Sequence, residues 1–255
     1  MVWQLTSKPH RVFPRNPLAA VVVDLRFYPI LKVAAKVPEF QDRVRSIFAD
    51  YQEQPQQLVM VQPFGVQVAH EKVFAFKKSD GSATLSLNTT SLTLDSRRHE
   101  HRAELISEAM LGVRSLLDVY SPLQATRFGL RYINFVDRET VAKDLERAVS
   151  WNDLITARFL SIPSDLADWE GTSYNIEVSS RMAQGELTLR YGLMRDPRDG
   201  RDKFRFDSDR YIESPFDVLS IDRFLALFAD DAYSVFVDAK GPVLEEWMNK
   251  AEGTT

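Results

Sequence analysis

Hydrophobic and polar positions along the chain follow two periods, one of strands and one of helices. From Leu18 to Phe27, Val21, Val23, Leu25 and Phe27 share one side and Asp24 and Arg26 the other, the pattern of a strand with one buried face. A helix is predicted to open at Pro38-Glu39, with Pro38 in its first turn and Phe40, Val44, Ile47, Phe48 and Tyr51 as its apolar stripe. Five strands follow, at 58–63, 66–69, 73–76, 83–87 and 92–94, and Asp80-Gly81 is a hairpin signal between two of them. From His101 to Tyr120, Leu105, Ile106, Ala109, Met110, Val113, Leu116 and Leu117 keep helical spacing, and Pro122 stops the helix.

The second half repeats this order. A strand at Arg127–Phe135 leads to a helix over 139–159, then strands at 172–182 and 186–193 joined by Gln184-Gly185. A charged loop, Arg195–Lys203, precedes a strand at Phe204–Glu213. Asp217 or Ser220 caps a long helix through Ile221, Phe224, Leu225, Phe228, Ala232, Val235 and Phe236, and Gly241-Pro242 kinks or restarts it. Strand runs followed by helices predict an α+β fold of two loosely similar halves, 1–137 and 138–255. Each half is expected to set a mainly antiparallel meandering sheet against a long amphipathic helix, the two tightly packed together or forming a single domain.

Composition narrows the chemistry. The chain has 255 residues and no cysteine, which excludes disulfides, thiolate nucleophiles and cysteine-held metals. No apolar run approaches the roughly 18–20 residues that cross a bilayer. The first ten residues lack the apolar core of a secretory signal, so a cytoplasmic protein without a membrane partner is expected. A net charge of −4 argues against nucleic acid as the main partner. Residues 1–50 hold eight Lys/Arg against four Asp/Glu, and residues 206–255 hold four against eleven. The two ends either attract each other, within a chain or across a dimer, or are separately solvated; solvation is the favoured reading.

Two segments are the most distinctive: Gly129-Leu-Arg-Tyr-Ile-Asn134 and Phe206-Asp-Ser-Asp-Arg-Tyr-Ile-Glu213. With Pro17–Phe27 and the closing helix from Phe228 to Met248, they resemble a sporadically distributed family of uncharacterised bacterial cytoplasmic proteins of similar length. The resemblance implies an accessory role, such as an antitoxin, immunity or phage-defence factor, and brings no catalytic residue or cofactor with it. The family's last helix has a histidine about where Asp230-Asp231 stand here, so no histidine role carries over.

The residues themselves offer three constellations. Arg26, Arg127 and Arg131 lie opposite apolar strand faces, where arginine forks bind carboxylate or phosphate and Gly129 permits close approach. With Asp207, Asp209 and Glu213 they form a candidate ligand site. Structural pairing of these arginines with Asp24, Asp207 or Glu213 is the favoured alternative, since an arginine is seldom buried unpaired. Arg195, Arg198 and Arg201 sit in a loop that either neutralises itself or recognises a partner's charges. His101, Glu104 and Glu108 share a helical face and are the weak metal candidate, with His99 beside them. Phosphate-loop, dinucleotide, nucleophile-elbow and zincin signatures are absent. The sequence therefore points first to a non-enzymatic protein-binding or adaptor protein without cofactor. It is expected to self-associate and to bind another protein, encoded by a neighbouring gene. A small-molecule or nucleotide binder using the sheet arginines is second, and a hydrolase using Asp207, Asp209 or Glu213 third.

Overall fold

A computed structural model describes residues 5–62, 65–97, 101–213 and 215–251. Pro63, His99 and Glu100 of the expected strand and metal cluster lie outside them. The strands are β1 (Leu18–Phe27), β2 (Asp50–Gln62), β3 (Gly65–Lys77), β4 (Ala83–Leu87), β5 (Ser91–Ser96), β6 (Ala125–Asp137), β7 (Ile176–Arg181), β8 (Glu186–Arg195) and β9 (Asp202–Glu213). The helices are α1 (Val33–Val44), α2 (Arg102–Tyr120), α3 (Arg138–Leu145), α4 (Trp151–Leu154), α5 (Ala157–Leu160), α6 (Ser164–Ala167), α7 (Ile221–Ala239) and α8 (Pro242–Asn249). The fold is α+β, with the strands in one antiparallel sheet of order β2-β3-β4-β5-β1-β6-β9-β8-β7.

Two compact units divide the chain. The first is built from residues 1–20, 131–211 and 226–255, and the second from 21–130 and 212–225.

In the second unit, alternation along β1, β4 and β5 buries Val21, Val23, Leu25, Leu85, Leu87, Leu92 and Leu94 on one side. Helices α1 and α2 cover that side. Gly112 brings α2 down onto β4 and β5, since a Cβ there would meet Leu85 Cδ1 at 3.0 Å. Helix α1 starts five residues before Pro38, which lies inside it. Val33, Val37, Phe40 and Val44 are all buried, and their burial outweighs the loss of one helical hydrogen bond. The helix ends at Val44, so Tyr51 belongs to β2, although Phe48 remains in the core.

In the first unit, Leu187, Leu189, Tyr191 and Leu193 of β8 and Phe204 and Phe206 of β9 bury against Trp151, Phe159, Val235, Ala239, Leu244 and Met248. The expected helix over 139–159 is broken into α3, α4 and α5. Glu146 adopts a left-handed conformation (φ 56°) and ends α3, and Ser150 and Asp153 form a capping box that starts α4. The segment 5–17 lies along α7 and α8: Lys8 pairs with Asp238 at 3.1 Å, Arg11 with Glu245 at 3.4 Å, and Arg15 with Asp144 of α3. The basic end thus meets the acidic end within one chain.

Candidate functional site

The sheet-borne residues singled out from the sequence lie on the strand faces opposite those that bury Val21, Leu25, Phe204 and Phe206. In an antiparallel sheet one face can stay solvated, so polar residues alternate outward along each strand. In the second unit, Asp24 of β1 accepts from Arg26 Nε at 2.8 Å, from Arg127 at 3.2 Å and from the Thr93 hydroxyl at 3.0 Å. Thr93 stands directly opposite Asp24 in the β1–β5 register. Gly129 lies under the Arg127 guanidinium, whose Nη1 would be 2.7 Å from a Cβ at that position. The close approach expected of Gly129 is therefore made by the chain's own arginine.

In the first unit, Arg131 of β6 grips Asp207 of β9 with both arms of its fork, Nε at 2.8 Å and Nη2 at 2.6 Å. Asp207 is 1% exposed. Register then carries the row outward: Asp207 faces Arg190 of β8, and Arg190 faces Glu177 of β7 and donates to it at 2.7 Å. Arg131, Asp207, Arg190 and Glu177 form a transverse row of alternating sign. The bond from Asp207 holds the Arg131 pKa above its ordinary value. Asp209 stands opposite Thr188 in the next row, and Glu213 is exposed at the end of β9.

One residue of consequence was not among the sequence candidates. Arg210 is 1% exposed, on the helix-covered side of β9 with Phe204 and Phe206. It donates to Asp231 of α7 at 2.8 Å and to the Glu186 carbonyl at 3.0 Å, and lies over the Phe228 ring at 4.6 Å. Burial pushes its pKa down, against the pull of Asp231. Strand alternation alone puts Arg210 among the phenylalanines. The partner, 21 residues away on a helix, has no such signal.

The loop between β8 and β9 pairs largely with itself. Asp196, which is buried, accepts from both arms of Arg198 and from Lys203; Arg201 pairs with Asp199 and, at 2.8 Å, with Asp137. Arg195 is exposed. The Arg198 bonds lead in holding the Asp196 carboxyl far below the usual carboxylate range.

At the metal candidate, Glu104 and Glu108 of α2 face Lys78, whose ammonium lies 2.9 and 2.7 Å from them. The two carboxylates hold the Lys78 pKa above its ordinary value, and Lys78 in turn depresses that of Glu104. His101 caps the helix start by position, without a side-chain capping bond. A lysine occupies the place between these carboxylates where a cation would sit.

No known protein-family model matches the chain, and no curated protein does so.

Proposed function

We propose that the chain is a protein-binding module, an adaptor whose partner is another polypeptide. The observation that supports this best is the loop Tyr28–Leu31. Its backbone is tied at two points, Tyr28 N–H donating to the Gln124 carbonyl at 3.1 Å and Ile30 N–H to the Thr89 carbonyl at 2.8 Å, and Phe27 N–H just before it donates to the Thr90 carbonyl at 2.9 Å. Yet Tyr28 is 61% and Leu31 88% exposed. Scattered exposed apolar residues are ordinary, but large ones on a fixed backbone are pre-ordered anchors that lose little entropy on binding. Aromatic anchors of this type are enriched at interfaces. The ion pairs support the same reading. Asp207 is held by Arg131 and Glu104 by Lys78, so both carboxylates are engaged by the chain's own cations.

The test is native mass spectrometry of protein purified gently from its own host, beside the Tyr28→Ser/Leu31→Asp variant. The expected result is a stoichiometric polypeptide on the wild type, the product of a neighbouring gene being the first to try, and its loss from the variant at an unchanged melting temperature. A polypeptide retained by the variant removes this loop from the interface. A retained small molecule overturns the reading in favour of the sheet arginines.

A further inference from the structure

The terminal strand β7 is self-complementary, and we infer that it pairs with β7 of a second copy of this chain across a two-fold axis. Among the described residues, β7 hydrogen-bonds to β8 on one side and to no strand on the other. Two backbone bonds fix which groups face outward: Met182 N–H donates to the Gly185 carbonyl and Tyr174 N–H to the Leu193 carbonyl. Antiparallel ladders alternate, so the even-numbered residues from 174 to 182 spend their backbone groups on β8. Glu177, Ser179 and Arg181 therefore direct their N–H and C=O groups to the open edge.

A second β7 docking antiparallel must match these outward residues with one another. Centred on Ser179, the register pairs Ser179 with Ser179 of the second copy and Glu177 with Arg181 in both directions, closing three hydrogen-bonded pairs. Opposite charges then stand directly cross-strand twice, the favourable arrangement for an antiparallel pair. Among the described residues Arg181 has no carboxylate within ion-pair distance, whereas Glu177 ends the row Arg131, Asp207, Arg190, Glu177. Arg181 of the second copy supplies the next positive member of that row. On the other face the same register sets Ile176 against Met182, both already packed on the unit's core, and the exposed Val178 against Ser180. Protective edge strands usually carry charges that repel a copy of themselves; Glu177 and Arg181, opposite in sign and four residues apart, do the reverse. The interface is isologous and closes at two copies.

Sedimentation velocity on the full chain, over a concentration series up to about 100 µM, a range suited to an interface this small, tests the pairing. Wild type is expected to show a concentration-dependent dimer. Arg181→Glu and Glu177→Arg each place like charges opposite one another twice and should weaken it by about tenfold or more. Mixed in equal amounts, the two variants restore both opposite-charge contacts, and a heterodimer should reappear. Ser179→Pro removes the central outward N–H and should abolish the dimer. Wild type monomeric throughout the series, or Arg181→Glu dimerising like wild type, would overturn the inference. Because Arg181→Glu leaves Tyr28 and Leu31 untouched, its outcome is independent of the adaptor reading.

Discussion

Arg131 and Arg210 stand on opposite faces of the same sheet in the first unit, and their settings differ in nearly every physical respect. Arg131, on the open face, is 40% exposed and spends both fork arms on one carboxylate. Arg210, under α7, is enclosed and divides its donors between Asp231, a backbone carbonyl and an aromatic face. Their pKa values move in opposite directions: the carboxylate bonds prevail at Arg131, and desolvation prevails at Arg210. Orderly pairing on the open face is compatible with solvent at low cost. On the closed face the same residue type is held by Asp231 at Nε, by a backbone carbonyl at Nη1 and by the Phe228 ring beneath it.

The largest effect that should separate the two is truncation under the helix. Arg210→Ala leaves Asp231 without its cation in a packed setting and is expected to cost about 3–5 kcal/mol, read as a fall in the urea midpoint. The paired replacement Arg210→Met/Asp231→Leu should recover most of that loss, since it removes both charges together. Arg131→Ala strips a buried Asp207 of its bidentate donor and should cost about 2 kcal/mol. Equal losses for Arg131→Ala and Arg210→Ala would break the comparison, and would mean that the open face is as enclosed as the other.

Acid should reveal a smaller, collective effect. Arginines do not titrate in the accessible range, but Glu104, Asp196 and Glu245 have carboxyls depressed below their ordinary values by Lys78, by Arg198 and by Lys240 respectively. A depressed folded pKa contributes stability above the unfolded value, near 4, and loses it as pH falls through the lower folded value. The melting temperature should therefore hold between pH 7 and 5 and decline below about pH 4, with Asp196→Asn and Glu104→Gln declining less steeply. The smallest expected effect is that of Arg26→Ala, an exposed partner of Asp24, at within about 0.5 kcal/mol in the same urea titration.

Much of the fold was legible wherever one face is buried and the other wet. Strand β1 was bounded to the residue and β4 likewise, because Val21, Val23, Leu25 and Phe27, or Leu85 and Leu87, alternate without interruption. Legibility failed where a local signal was weighed without its tertiary setting. Pro38 suggested a helix start, but burial of Val33 and Val37 extends α1 in front of it. Residues 139–159 kept enough apolar spacing for one helix, yet the left-handed Glu146 divides them. At the candidate site the arginine-bearing strands were readable, and the question left open was what those arginines meet. Asp24 lies on β1, about a hundred residues before Arg127, and Asp207 lies 76 residues after Arg131. Such partners come together only through sheet order. Lys78 was missed for the same reason, since nothing near His101 in sequence points back to it.

The way the two units draw on the chain bears on how a gene like this can change. One takes residues 1–20, 131–211 and 226–255, and the other 21–130 and 212–225. A single crossover anywhere within 21–225 divides both. A crossover there leaves neither unit from a single parent, so cores such as Phe204 with Val235, or Phe128 with Phe224, must find compatible halves in the same event. Only a crossover before residue 21 or after 225 keeps one unit, the second, whole.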